Sequence, residues 1–273
     1  MDKKKEFDKI AKDIREVKIQ GARNIAKAAF FAYSLIPIKD SIKKLLSLRP
    51  TEPMLEKVLT LVGKIPNKKI LEHFDSAQNQ IDKYVLKIIK PNDKIFTHCH
   101  STNVVNALIF AKKSWAKFEV YNTETRPLFQ GRKTAKELRK SGIKVTMFID
   151  SAAAIAIEKE NQKDKIHADK IFLGADALLT NGIINKVGSG LISELAHSHK
   201  IPVYIIADSW KFSKKKVPIE NRSLNEVWNR APKNVKIKNP AFEFVLEKYI
   251  SGIVTEYGIM KYKDFVKKMR KGN

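Results

Sequence analysis

The spacing of apolar positions divides this chain of 273 residues into two parts. Before residue 90, apolar residues recur at the three- and four-residue intervals of amphipathic helices. The pattern predicts five helices, with apolar faces at 7–17, 25–32, 38–48, 54–62 and 68–89. A Pro-Asn-Asp turn at 91–93 ends the helical pattern.

After this turn, short apolar runs alternate with helical segments. The runs predict strands at 95–99, 118–122, 145–149, 171–174, 203–207 and 253–255. The intervening segments predict helices at 102–113, 133–141 and 191–198, a loop-rich stretch at 213–240 and a last helix at 261–271. Strands that alternate with helices are typical of a doubly wound parallel sheet. We therefore predict an α/β fold, with a helical domain over 1–90 followed by a Rossmann-like, mainly parallel domain over 91–273.

Composition adds a strong positive charge and a single thiol. The formal net charge is +24, which suits anionic partners such as phosphorylated metabolites, RNA or a ribosomal surface. The lysines are spread along the chain rather than gathered in a stripe, so a solvated surface is the favoured interpretation. One cysteine excludes an internal disulfide, and no apolar run is long enough for a bilayer. We therefore expect a cytoplasmic protein that does not contact a membrane.

Two reactive side chains follow predicted strands. Cys99 ends one strand and Asp176 follows another, and ligands bind at the carboxyl ends of parallel strands. A thiol and a carboxyl at that edge form a candidate proton-transfer pair. A lone cysteine is more often an inert core residue, but Ser101 and Thr102 are typical of a helix start whose dipole favours a thiolate and an anionic ligand. The competing interpretation of Asp176 is a turn residue that caps local amides.

Histidines flank the cysteine on both sides. As strand neighbours, His98 and His100 are expected to point away from the face of Cys99, which argues against a metal site. A Cys-His hydrolase is a further interpretation, but no third residue that would orient the histidine is evident.

Other polar side chains follow strands at the same predicted edge. Arg126 lies after the second strand, where its planar fork suits a phosphate, and Asp150 lies after the third, where a helix N-cap is the competing interpretation. Asn185 and Lys186 lie beyond an Asn-Gly turn, and Lys211 lies after a later strand. Polar residues after five strands favour a ligand site over an ordinary solvated surface.

These segments together resemble one family. It comprises ribose 1,5-bisphosphate isomerase, methylthioribose 1-phosphate isomerase and the alpha, beta and delta subunits of translation initiation factor 2B. The matching segments occur in family order at 20–23, 48–51, 97–101, 124–127 with 130–132, 149–152, 174–176, 184–186, 209–212 and 239–242. The resemblance is greatest to the archaeal members called initiation-factor-2B-like.

The resemblance implies roles for individual residues. Cys99 and Asp176 match the catalytic pair of the isomerases, which the regulatory subunits generally lack. It implies no metal and no organic cofactor, and a dimer through the α/β domain that builds to a hexamer. We add Arg23 and Arg126 to the substrate-binding residues that it implies. The full predicted set is Gly21, Ala22, Arg23, Arg49, Ser101, Thr102, Arg126, Asn185, Lys186 and Lys211.

Two positions depart from the family pattern. Gln20 stands where the bisphosphate isomerases usually have an arginine, which removes a bidentate phosphate contact and leaves Arg23 or Lys27, neither at the same position, as the substitute. The turn between Asp176 and Asn185 is one residue shorter than in the family, which predicts a shift of Asn185 and Lys186 relative to Asp176.

Two functional hypotheses follow. The first is an aldose–ketose isomerase that acts on a C1-phosphorylated pentose and converts ribose 1,5-bisphosphate to ribulose 1,5-bisphosphate, with Cys99 as base and Asp176 as acid. The second is a non-catalytic, initiation-factor-2B-like subunit that binds a sugar phosphate or nucleotide and contacts translation initiation factor 2. Both are compatible with a homo-oligomer.

Overall fold

Five helices form the first part of the chain. The structure is a computed structural model that describes residues 2–158 and 166–271. The helices are α1 (Lys3–Arg15), α2 (Ala22–Leu35), α3 (Lys39–Leu48), α4 (Pro53–Leu61) and α5 (Asn67–Ile88). In α1, the Asp2 side chain accepts hydrogen bonds from two amides of the first turn, and Phe7, Ala11 and Ile14 form the buried face. The helical pattern predicted before residue 90 is confirmed.

A seven-stranded sheet follows. Its order is β10-β9-β7-β4-β1-β2-β3, and every neighbouring pair is parallel except β9 with β10. The predicted α/β class and the six predicted strands are therefore confirmed. The elements are β1 (Asp93–Thr97), α6 (Thr102–Lys113), β2 (Phe118–Thr123), α7 (Gln130–Lys140), β3 (Lys144–Phe148), β4 (Lys170–Leu173), β5 (Ala177–Leu179), β6 (Gly182–Lys186), α8 (Ser189–Ser198), β7 (Val203–Ile206), β8 (Phe242–Leu246), β9 (Gly252–Thr255), β10 (Gly258–Met260) and α9 (Tyr262–Lys271).

The strand order reverses between β1 and β4. From β1, the chain adds β2 and β3 on one side, and β4, β7 and β9 on the other. Phe96 and Phe172 are fully buried on these central strands, as expected for a parallel sheet that is covered on both faces. A crevice opens at the carboxyl ends of strands where the order reverses, so ligands of such sheets bind there.

A second, antiparallel sheet of three strands was not predicted. It has the order β5-β6-β8, and β5 and β6 form the hairpin that the Asn181-Gly182 turn predicts. The Asp176 N–H donates to the Ile184 carbonyl oxygen at 2.9 Å, which continues the hairpin ladder by one residue. This register places Asp176 beside Asn185 on the neighbouring strand of the hairpin. The short turn therefore leaves the two residues next to each other.

Helix α5 belongs to two packing environments. Its Ile70 and Phe74 pack with α2 and α4, whereas its Ile81 and Val85 pack in one core with α6 and the sheet. The division into domains 1–90 and 91–273 therefore stays a prediction, and its residues 159–165 and 272–273 lie outside those described. No described helix combines the length and hydropathy needed to cross a membrane.

Candidate active site

One cavity lies at the point where the strand order reverses. It encloses about 140 Å³, enough for roughly ten water-sized groups, which suits a small sugar-sized ligand. The loop before α2 and the segment before α4 contribute to its wall, so the helices and the sheet build it together. Of the predicted site residues, it is lined by Gly21, Ala22, Arg23, Arg49, Cys99, Ser101, Thr102, Asp176, Asn185, Lys186 and Lys211.

Cys99 is held in a left-handed backbone conformation. Its φ is +67°, a region that non-glycine residues seldom adopt and that is concentrated at functional sites. The Cys99 N–H donates to Thr125 Oγ1 at 3.0 Å, and Thr134 Oγ1 donates to the Cys99 carbonyl at 2.9 Å. The Thr125 N–H in turn donates to Asp150 Oδ1 at 2.8 Å. Asp150 therefore holds Thr125, which in turn holds the backbone of Cys99, and it does not act as a simple helix cap.

The expectation that the flanking histidines point away from Cys99 is wrong. Strand β1 ends at Thr97, so the side-chain alternation of a strand no longer applies, and His98 and His100 line the same cavity. His98 Nε2 contacts the Val187 carbonyl at 2.8 Å. A carbonyl only accepts, so Nε2 carries the proton. Burial lowers the pKa of His98, and it lowers that of His100 to about 4, so both rings are neutral near pH 7.

Asp176 and Cys99 line the same cavity. The two chain segments are in close contact, since a Cβ at Gly174 would lie 2.5 Å from Ser101 Oγ. Burial raises the pKa of Asp176, while the charges of Lys211 and Arg49 act in the opposite direction. Asp176 and Cys99 are near enough that the Asp176 charge also raises the pKa of the thiol.

Burial keeps Cys99 protonated. Burial raises the pKa of its thiol to about 12, and the opposing effect of Lys186 is smaller. Burial therefore opposes the thiolate that the dipole of α6 is expected to favour. A thiolate forms here only when a proton leaves the pair of Cys99 and Asp176.

Two lysines give the cavity its available positive charge. Within 2–158 and 166–271, neither Lys186 nor Lys211 has a carboxylate oxygen within 4.0 Å. Lys211 Nζ donates to the Ala175 carbonyl at 2.7 Å. Burial lowers the pKa of Lys186, and a bound anion would reverse that effect. Helices α2 and α6 also begin at this cavity, and helix N-termini attract anions.

Several charged residues of the cavity were missed by sequence reasoning. Glu52 is 3% exposed and lies 3.2 Å from Arg49, and burial raises its pKa to about 8. Glu220, Arg222 and Glu226 reach the cavity from the loop-rich segment. None of these residues follows a strand of the central sheet. The rule that ligands bind at the carboxyl ends of parallel strands therefore could not identify them.

Two predicted phosphate ligands are engaged elsewhere. Arg126 does not line the cavity, and its guanidinium donates to the Val227 carbonyl at 3.1 Å. Arg23 lines the cavity but forms an ion pair with Asp75 at 2.5 Å. Gln20, at the position of the missing arginine, lines the cavity as well.

A cluster with metal-ligand chemistry lies next to the Lys211 turn. The ligand atoms of His73, Asp208 and Glu256 are within 4.8 Å of one another. Each already has a protein partner, because Asp208 accepts from His73 and the Trp210 N–H, and Glu256 accepts from Ser209. The ring of His73 also stacks on Trp210 at 3.5 Å. The cluster therefore orders the turn that carries Lys211.

Comparison with known proteins assigns the chain to a family. The model of the initiation factor 2 subunit family matches residues 19–262, which span both the helices and the sheet. The chain belongs to the initiation factor 2 subunit family.

Its relatives within the initiation factor 2 subunit family include named enzymes. Ribose 1,5-bisphosphate isomerase of Thermococcus kodakarensis is 32% identical, over 94% of this chain and 91% of the relative. Methylthioribose-1-phosphate isomerase of Carboxydothermus hydrogenoformans is 30% identical, over 98% of this chain and 91% of the relative. A solved structure of translation initiation factor eIF-2B from Pyrococcus horikoshii superposes with a TM-score of 0.80 at 25% identity, over 93% of this chain and 96% of that one. The first two relatives are named isomerases, which confirms the predicted enzyme class.

Proposed function

We propose that the protein is an aldose–ketose isomerase that acts on a pentose phosphorylated at C1. The observation that carries this proposal is the joint presence of Cys99 and Asp176 in one cavity where the strand order reverses, beside two lysines that have no carboxylate partner among the described residues. The names of the relatives support the same reaction class. Ribose 1,5-bisphosphate, with ribulose 1,5-bisphosphate as product, is the first substrate to assay.

The chemistry requires an acid and a base. A phosphate on C1 prevents ordinary opening of the sugar ring, so the bond between C1 and the ring oxygen has to break with assistance. In our proposal, the Cys99 thiolate takes the proton from C2, and Asp176 donates its proton to the ring oxygen as the C1–O bond breaks. The resulting enol then accepts the proton of Cys99 at C1, while Asp176 takes the proton of the C2 hydroxyl. Both side chains return to their starting forms, so no cofactor takes part.

The pair must hold one proton in total during catalysis. Burial raises the pKa of both groups, and it raises that of the Cys99 thiol to about 12. The reactive form therefore needs that proton to lie on Asp176 when substrate is bound, with Lys186 beside the sulfur. Activity should rise with pH as the pair loses its first proton, above the usual aspartate value of 3.8, and Cys99 should cause no fall below pH about 12.

The decisive experiment is a substitution of the thiol. A panel of C1-phosphorylated pentoses is incubated with wild type, Cys99→Ser and Asp176→Asn, and phosphorus NMR detects the ketose product. We expect turnover by wild type alone, with sugar phosphate binding retained in Cys99→Ser, because the serine hydroxyl is a much weaker base. Full activity of Cys99→Ser would disprove the mechanism.

A second candidate function is a non-catalytic regulatory subunit. The similarity to the Pyrococcus horikoshii structure and the charge of +24 favour it. It predicts capture of translation initiation factor 2 from cell lysate, with no turnover of any sugar phosphate in the panel. Turnover without capture would exclude this second function.

We also propose a homo-oligomer built through the sheet. Edge strand β3 and the turn after it expose Met147, Ile149 and Ile155, and Ile149 is 59% exposed. Apolar side chains on an exposed edge strand favour contact with another chain. Light scattering should give the mass of a dimer or hexamer, and a monomer at micromolar concentration would contradict the proposal.

A further inference from the structure

Glu52 is a buried carboxyl on the cavity wall, and one of its two oxygens has no hydrogen-bond partner among the described residues. Glu52 Oε1 accepts from Arg49 at 3.2 Å, but Glu52 Oε2 and Arg49 Nε have no partner among the described residues. Buried polar atoms in folded proteins are nearly always paired, so an unpaired acceptor beside an unpaired donor requires an explanation. One hydroxyl group offers both a donor and an acceptor, whereas a phosphate dianion offers acceptors alone.

The arginines near Glu52 already have anionic partners. Arg49 lies between Glu52 and Glu220, whose carboxylate oxygen is 2.8 Å from its guanidinium. Arg222 is paired with Glu226 and with Glu220. A phosphate at this wall would have to displace these carboxylates and would lie next to their charges. Like charges in a buried site repel strongly, so above the Glu52 pKa of about 8 this wall is unsuited to a phosphate.

Among the described residues, the two cavity lysines without a carboxylate oxygen within 4.0 Å lie close to the pair of Cys99 and Asp176. Lys211 Nζ donates to the carbonyl of Ala175, the residue before Asp176, at 2.7 Å. Lys186 follows Asn185, which lies beside Asp176 in the hairpin register. A phosphate on C1 is attached next to C2 and the ring oxygen, where this pair acts. The cavity thus provides for one phosphate beside the pair and presents carboxylates along the Arg49–Glu52 wall.

From this arrangement we infer that Glu52 selects a substrate with phosphate at C1 only, and that the Arg49–Glu52 wall binds the free C5 hydroxyl. This inference rests on the proposed isomerase function and specifies the substrate class. On this inference, the Glu52 carboxyl group alone distinguishes the specificity of this chain from that of a bisphosphate isomerase. Glu52 is then a specificity determinant that contacts the sugar.

The test compares two sugars on one site. Calorimetry at pH 9, where Glu52 is ionised, measures the binding of ribose 1-phosphate and of ribose 1,5-bisphosphate to wild type, to Glu52→Gln and to Glu56→Gln. Glu56 is a matched control, since it lies in the first turn of α4, which begins directly after the N-cap residue Glu52, but does not line the cavity. We expect wild type and Glu56→Gln to bind the monophosphate at least about 10-fold more tightly, the effect of one hydrogen bond to a charged group. Glu52→Gln should bring this ratio close to one, mainly by tighter binding of the bisphosphate.

The outcomes separate this inference from the proposed function. Equal or tighter binding of the bisphosphate by wild type would overturn the inference and leave the isomerase proposal standing, whether or not Glu52→Gln folds. An unchanged ratio in folded Glu52→Gln would overturn it as well. Failure of wild type to bind either sugar would overturn both.

Discussion

Gly174 is the position where one methyl group should separate the catalytic pair. A Cβ added there would lie 2.5 Å from Ser101 Oγ and 2.6 Å from Ser101 Cβ, whereas ordinary contact begins at 3.4 Å. The carboxyl end of β4 and the start of α6 would therefore have to separate by about 0.9 Å. Because Asp176 follows the first segment and Cys99 precedes the second, this movement changes the distance between the two reactive groups.

The expected effect on catalysis exceeds the effect on folding. A misplacement of about 1 Å in a catalytic site can lower the rate about 100-fold. Overpacking of this kind costs about 1–3 kcal/mol of stability, which a domain stable by about 5–15 kcal/mol tolerates. We expect Gly174→Ala to fold, with kcat about 100-fold below wild type for the pentose phosphate that wild type converts. Phosphorus NMR measures the rate, and urea denaturation measures the stability.

Relief and control variants make the test specific. Ser101→Gly in the Gly174→Ala background removes both contacting atoms and leaves Ser101 Cα at 3.8 Å. Because Ser101 is also a predicted substrate-binding residue, the reference is Ser101→Gly alone, and the double variant should reach much of its activity. Gly63→Ala has nothing within 4 Å of the new Cβ and a φ of +74°, so it adds backbone strain far from the cavity and should keep its activity. Wild-type activity in Gly174→Ala, or a loss that Ser101→Gly does not relieve, would refute the reasoning.

Three further variants test the electrostatics and support of the site. Glu52 has a pKa of about 8 in the folded protein, above its usual 4.5, so the folded protein binds a proton more tightly and loses stability as the pH rises between these values. Glu52→Gln should remove this loss of unfolding free energy, which is at most about 5 kcal/mol, in urea titrations at pH 5 and pH 9. The same pH dependence in both proteins would contradict this. Asp150→Asn should weaken the support of Thr125 under Cys99 and lower kcat about 10-fold with KM nearly unchanged; a rise in KM alone would argue against a positioning role. Lys186→Met should weaken binding of inorganic phosphate about 10-fold or more by calorimetry, and unchanged binding would exclude Lys186 as a phosphate ligand.

Local patterns predicted the main architecture because they act over short distances in sequence. Helical periodicity located α1 to α5, and the apolar runs located the buried parallel strands. The sheet formed by β5, β6 and β8 was missed because β5 is only three residues long and because Glu243 interrupts the apolar run of β8, which is mostly not buried. Neither strand therefore has the long continuous apolar run by which most of the buried parallel strands were located.

The site was predicted only as far as strand ends define it. Cys99 and Asp176 follow β1 and β4, so the rule for parallel sheets finds them. The inward position of His98 required knowledge that Cys99 adopts a left-handed backbone, which depends on Thr125 and Thr134 in other elements. Glu52 reaches the cavity from a helix start, where an acidic residue is ordinary.

The raised pKa of Cys99 has a consequence for the chemical durability of the protein. Alkylating agents and peroxide attack thiolates, so a sulfur that keeps its proton up to pH about 12 should react slowly with either. Labelling by iodoacetamide at pH 7 should be slower than that of free cysteine, and labelling as fast as free cysteine would show that the sulfur is not shielded in this way.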